Sequence, residues 1–157
     1  MAKKSQLIFA KGKAQALDSL FIGDNPPFGY LAIGYTDSST NGFEDPIDNE
    51  TLETDEEYGG FKEIEPITYK YSRIKLTSAD DANFQNIDYN SATGKVTRTY
   101  QATLDSSNIE NTYINQIAVV NTSEARDNKT NYYSATTFSS FYKDSQSSIT
   151  FKISFTI

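Results

Sequence analysis

The chain has 157 residues, eleven of them Tyr and ten Phe, and it contains no Cys, His or Trp. Without Cys and His it cannot form disulfides, thiol nucleophiles, thiolate zinc sites or Ser-His-Asp triads. With 21 acidic and 14 basic residues the net charge is −7, which makes nucleic acids and anionic membranes poor partners.

The N-terminal region, residues 1–13, is basic and reads as an arm or a solvated strand. An apolar run, LIF at 7–9, interrupts its four lysines, Lys3, Lys4, Lys11 and Lys13. That run is too short for a signal peptide, and no stretch approaches the ~20 apolar residues of a membrane span. Helical spacing of apolar residues then predicts a helix over 13–21 with Gly23 as its C-cap; a strand is the alternative.

Alternation of apolar and polar residues is the dominant pattern along the rest of the chain. It predicts strands over 28–35, 69–76, 84–89, 95–104, 113–120, 132–138 and 149–157. The last strand is the clearest, because every odd position from Ile149 to Ile157 is apolar. A turn at 90–94 joins two strands into a hairpin. The apolar run at 117–120 indicates a strand centre buried on both faces.

The segment 36–60 breaks this pattern and is predicted to be a long acidic loop. Its carboxylates are concentrated between residues 44 and 57. Oxygen-rich segments of this kind suit Ca²⁺, but the spacing matches no EF-hand loop. A solvated acidic segment and a docking surface for a basic partner are the other interpretations.

These elements together predict an all-β fold, an antiparallel β-sandwich with at most one or two short helices. The whole chain, 1–157, is expected to form one domain, since this length suits a single core. The glycines in the strand 28–35 are expected where another part of the backbone approaches closely.

Several motifs occur in an order that resembles small virion proteins of tailed bacteriophages, especially the N-terminal domains of tail-collar fibre proteins. The motifs are YLAIG at 30–34, TLE at 51–53, YSRI at 71–74, INQIAVVN at 114–121 and FSSFYK at 138–143, before the alternating last strand. Gln116 and Ala118 stand where the family pattern has Glu and Gly. The resemblance spans residues 28–157.

This resemblance implies a virion structural protein, made in the host cytoplasm and acting through protein–protein assembly. Its place would be the tail, baseplate, collar or neck, or a fibre or decoration subunit attached to the capsid. Its partners would be other virion proteins, in a symmetric homo-oligomer or docked on a ring. Edge strands and the N-terminal arm are the expected contact elements.

The alternative function is a carbohydrate-binding or receptor-binding module, with a host-surface glycan as partner. Tyr132, Tyr133 and Tyr142 are candidates for a sugar-stacking surface or a subunit contact, or they fill the core. Paired carboxylates such as Asp80–Asp81 and Glu63/Glu65 occur by chance in an acidic protein, so we expect no enzyme. No catalytic, cofactor-binding or metal-binding residue is predicted.

Overall fold

The computed structural model describes residues 5–37, 43, 57–64, 73–109, 111–126 and 129–157. Within them the chain forms helix α1 (Ala10–Phe21) and then short and long strands. The strands are β1 (Tyr30–Gly34), β2 (Glu57–Tyr58), β3 (Phe61–Lys62), β4 (Ile74–Lys75), β5 (Thr77–Ser78), β6 (Asp88–Asn90), β7 (Lys95–Leu104), β8 (Thr112–Val120), β9 (Tyr132–Lys143) and β10 (Ile149–Thr156).

Two antiparallel sheets form the body of the protein. The first has the strand order β4-β1-β8-β9, and the second has the order β10-β7-β5, with β6 also paired to β7. Strands β2 and β3 form a separate hairpin. The predicted all-β, antiparallel sandwich with a short helix is therefore confirmed.

Strands β7 and β10 show why the alternating pattern predicts well. Eight consecutive residue pairs join them, so their two rows of side chains stay in register. The inward row of β7 is fully buried at Val96, Tyr100 and Leu104. On the outward face, paired hydroxyls such as Thr103 and Thr150, 2.8 Å apart, meet water instead.

Strand β8 is buried on both sides, as its apolar run predicts. Ile117 and Val119 face the main core between the sheets, whereas Ala118 and Val120 pack with Phe61 of the β2–β3 hairpin. The hairpin therefore covers the outer face of the first sheet, which explains why this strand has no polar face.

Gly34 confirms the predicted close approach of the backbone. A Cβ atom at this position would lie 2.7 Å from the Lys62 carbonyl oxygen, closer than two such atoms can pack. The glycine thus allows the hairpin to lie directly against β1.

Helix α1 begins at Ala10, three residues before the predicted start, and ends as predicted at Phe21. Leu17 and Phe21 join the main core. The cap residue is Ile22, and Gly23 follows it with φ of +111°, a conformation that favours glycine. The prediction of a helix, and not of the alternative strand, is confirmed.

Other boundaries differ from the predictions. The predicted strand over 84–89 is wrong for its first part, because Asp81 accepts hydrogen bonds from the Asn83 and Gln85 amides and forms a turn. Strand β9 continues five residues beyond the predicted end at 138. The end of the predicted acidic loop, 57–60, belongs to the β2–β3 hairpin. Residues 38–42, 44–56 and 65–72 lie outside the described residues.

Candidate functional site

Asn115 and Gln116, two polar residues of the 114–121 motif, are buried and hold the fold together. The Asn115 side chain forms two hydrogen bonds with the backbone of Thr36, of 3.1 and 2.8 Å. The Gln116 side chain accepts a bond from the Lys62 amide and donates one to the Gly60 carbonyl, at 3.0 and 2.9 Å. Each side-chain amide thus forms hydrogen bonds with the backbone of another segment, as a neighbouring strand would. These side chains are structural and are not available to a ligand.

Two other polar residues of the motifs, Arg73 and Lys143, have similar roles. Arg73 is buried against Glu63, with Nε and Nη2 donating to the two carboxylate oxygens at 2.9 and 2.7 Å. Lys143 is also buried, and its Nζ donates to the carbonyl oxygens of Ser106 and Asp144. Where the structure describes them, these four polar residues of the motifs therefore stabilise the fold.

A second buried pair joins α1 to β7. Arg98 donates to both oxygens of Asp18, at 3.1 and 2.8 Å, and the Tyr100 hydroxyl donates to the same carboxylate at 2.6 Å. Burial and this bond to Asp18 raise the pKa of Tyr100 far above its usual value. Sequence reasoning missed both arginine pairs, because their partners lie 10 and 80 residues away along the chain.

The paired carboxylates named from the sequence form hydrogen bonds within the fold where the structure describes them. Asp80 accepts a bond from the Thr99 amide. Asp81 caps a turn, and bonds from the Asn83 and Gln85 amides lower its pKa. Glu63 is occupied by Arg73, and Glu65 lies outside the described residues. The acids at 80 and 81 therefore serve local structure.

The N-terminal arm presents the most exposed apolar side chains of the described residues. Leu7, Ile8 and Phe9 are 58, 61 and 72% exposed. Of the basic cluster, Lys3 and Lys4 lie outside the described residues. Lys11 is exposed, and Lys13 donates to the Gly94 carbonyl. Three adjacent apolar side chains in water indicate a contact surface.

Strands β9 and β10 are long, and no strand among the described residues pairs with their outer edges, which lie on the same side of the sandwich. The edges opposite them are two- and three-residue strands, which offer little backbone to a partner. Strand β9 has no charged residue from Tyr132 to Tyr142, and Lys152 is the only charged residue in β10. Proteins usually protect such edges with charges, so these two edges are open to another strand.

An aromatic seam closes the gap between these two edges. At one end Phe21 stacks on Phe155, with ring centroids 4.5 Å apart, and Tyr133 meets both rings edge-on. At the other end Phe138 stacks on Phe141, which faces Phe151. We define the aromatic seam as these six residues.

A second aromatic group, the tyrosine triad, consists of Tyr35, Tyr113 and Tyr142. Tyr113 lies between the other two, with centroid distances of 6.1 Å to Tyr35 and 5.1 Å to Tyr142. Tyr113 and Tyr142 are 54 and 51% exposed. The Tyr35 hydroxyl donates a 2.7 Å hydrogen bond to Asp37, and this bond raises the pKa of Tyr35.

The three tyrosines named from the sequence do not form one surface. Tyr132 is half-buried and stacks on Tyr58, 4.7 Å away, over the hairpin. Tyr133 belongs to the aromatic seam, and only Tyr142 belongs to the triad. Tyr113 was missed because the pattern along one strand does not show which residue of another strand lies opposite. Only the pairing of β8 with β9 places it opposite Tyr142.

Within the described ranges, no group of three acidic side chains is arranged to hold a metal ion. The carboxylates at 44–56 that suggested a Ca²⁺ site lie outside those ranges. Helix α1 has 12 residues, and no helix in the described part of the chain is long and apolar enough to cross a membrane. Comparison of the chain with protein-family models, curated proteins and solved structures yields no match.

Proposed function

We propose that this chain is a structural subunit of a bacteriophage particle that acts through permanent protein–protein contacts. The proposal depends most on the apolar arm at 7–9, whose side chains are exposed in the isolated chain. Removing a side chain of this kind from water contributes roughly 1.5–3 kcal/mol. An assembly that covers the arm would therefore be stabilised considerably.

The open edges supply a surface that can receive such an arm. The outer sides of β9 and β10 carry backbone groups that another extended segment can pair with. The aromatic seam beside them is only partly buried at Phe138, Phe141 and Phe151. An apolar segment added here would bury these rings further.

The distribution of charge favours contacts between copies. Residues 1–9, which precede helix α1, contain two basic residues and no acidic one, which leaves twelve basic and twenty-one acidic residues in the rest of the chain. A basic arm and an acidic body attract each other across an interface. The virion assignment is supported by the ordered motifs between 28 and 157.

Sedimentation velocity of the full chain over a range of concentrations tests the assembly. We expect self-association or binding to a purified particle protein, and loss of both when Leu7, Ile8 and Phe9 are all changed to Ser. Tyr89→Ser is the matched control, because Tyr89 is 50% exposed and lies outside the arm and both open edges. A strictly monomeric chain that binds no particle protein would contradict the proposal.

The virion assignment has a separate test in the neighbourhood of the gene. Flanking genes for capsid, portal or tail proteins are expected. Flanking genes for unrelated metabolism would contradict a virion role, while leaving self-association through the arm intact. The two parts of the proposal can thus fail independently.

A further inference from the structure

The tyrosine triad is not needed for the contacts described above. Tyr35 directly follows β1, Tyr113 lies on β8 and Tyr142 lies on β9. Their rings touch one another through faces and edges. The aromatic seam is different, because Phe21 is fully buried there and the other four phenylalanine rings pack against the core, while Tyr133 is 43% exposed. In the triad, by contrast, Tyr113 and Tyr142 expose about half of their surface.

The triad is held in place before any ligand arrives. The Tyr35 amide donates to the Lys62 carbonyl at 3.0 Å, which fixes the chain leaving β1. Next to it, Thr36 is held on both its amide and its carbonyl by the buried Asn115 side chain. The Tyr35 ring is then oriented by its bond to Asp37. A preorganised surface loses little conformational entropy on binding.

We propose that the tyrosine triad binds a neutral sugar ring in the pyranose form. The C–H bonds on one face of a pyranose carry partial positive charge and suit the negative face of an exposed Tyr ring. Sugar hydroxyls are donors, and the exposed Asp37 carboxylate is an acceptor at the edge of the rings.

Charge and size favour this occupant over others. The Asp37 carboxylate and the net charge of −7 repel acidic sugars, so neutral sugars are preferred. Ring centroids 5.1 and 6.1 Å apart cover one or two sugar rings. A stable protein–protein contact buries about 800 Å² on each partner, far more than three side chains provide.

The test is a titration of the full chain, followed by NMR of the tyrosine ring protons. The probes are methyl pyranosides of glucose, galactose, mannose and N-acetylglucosamine, the disaccharides maltose and cellobiose, and glucuronic acid as an acidic comparator. We expect binding of at least one neutral probe and weaker binding of glucuronic acid. Failure of every neutral probe to bind would overturn the proposal.

Variants locate the site. Tyr113→Ala and Tyr142→Ala are expected to lower the association constant about tenfold, the loss of one aromatic contact. Tyr89→Ala, equally exposed on β6, is the matched control and should leave binding unchanged. Asp37→Asn keeps the shape and should reduce the discrimination against glucuronic acid.

Two outcomes would assign the triad another role. If Tyr113→Ala leaves sugar binding unchanged, the sugar binds elsewhere and the proposal is wrong. If Tyr113→Ala instead dissociates an oligomer, the triad is a protein contact. The far-ultraviolet spectrum of each variant checks folding, and Tyr113→Phe, which keeps the ring, should keep most of the affinity.

Discussion

Helix α1 and the β2–β3 hairpin are both small elements laid on a sheet, and each is anchored by an arginine–carboxylate pair. The hairpin pair, Glu63–Arg73, is almost completely buried, with side chains 1 and 0% exposed. In the helix pair the Asp18 side chain is 12% exposed. Where water is excluded, a polar group that loses its hydrogen-bond partner costs more free energy.

The surroundings of the two pairs differ as well. Glu63 also accepts a bond from the Arg126 amide, and Arg73 donates to Thr130, so this pair ties the hairpin to the 122–130 segment. Arg98 leaves Nη1 without a hydrogen-bond partner among the described residues and places its guanidinium 4.8 Å from the Phe84 ring centroid.

The two elements therefore depend on polar anchoring to different degrees. A helix of twelve residues satisfies its own backbone and buries an apolar face. A hairpin of two-residue strands has little backbone pairing of its own. It therefore depends on Gln116, Glu63 and Phe61, and we expect it to be the more sensitive of the two.

The largest effect is expected for Glu63→Ala. It leaves the buried Arg73 without its carboxylate, which should lower the free energy of unfolding by about 3–5 kcal/mol. Urea denaturation measures this, with Glu124→Ala, an exposed acid of the 122–130 segment, as the control. A loss below that of Asp18→Ala would reverse the order proposed for the two elements.

Asp18→Ala should lower the free energy of unfolding by a smaller amount, about 2–3 kcal/mol. The carboxylate is partly exposed, and α1 keeps its apolar contacts through Leu17 and Phe21. Asp24→Ala, which removes an exposed acid just beyond the helix, should change stability little. Equal losses of unfolding free energy for Asp18→Ala and Asp24→Ala would show that the pair of Asp18 with Arg98 contributes nothing specific.

Two glycines should respond to Ala with opposite signs. Gly34→Ala forces the hairpin away from β1 and should cost about 1–3 kcal/mol. Gly12→Ala, in the helix with no atom near the added Cβ, should stabilise by about 0.5–1 kcal/mol. Thermal unfolding compares them, and a neutral Gly34→Ala would contradict the close packing of the hairpin.

The smallest effect concerns alkaline pH. Burial raises the pKa of Tyr132, which packs on the hairpin, from 10.0 to about 12. The unfolded chain loses this proton above pH 10 while the folded chain keeps it, so stability is complete below pH 10 and falls as pH rises towards 12. Tyr132→Phe should make the alkaline loss less steep, measured by denaturant titration at each pH. An unchanged slope would contradict this.

Long strands with one buried face and one exposed face were predictable from the sequence. Strands β7 and β10 alternate because one face meets the core and the other meets water. The β2–β3 hairpin was not predictable, because Gln116, more than fifty residues away, completes its hydrogen bonds. The strand predicted over 84–89 began too early, because its composition hid the turn that Asp81 imposes before β6.

The candidate site was predictable only in part. The exposed apolar residues 7–9 could be recognised from the sequence because no pairing is needed to see three adjacent apolar residues. Residues 10–13 of the predicted arm belong instead to helix α1. The tyrosine triad depends on the β-bulge between Ile114 and Gln116 and on the opposition of Tyr113 and Tyr142. Neither can be read from spacing along one strand.

The almost uncharged margins of β9 and β10 have a practical consequence. Newly synthesised chains can pair with one another through these strands in the wrong register before they bind their correct partners. Aggregation should therefore increase as the protein is concentrated, and Thr136→Lys should reduce it. Purified material is best kept dilute until the correct neighbour is added.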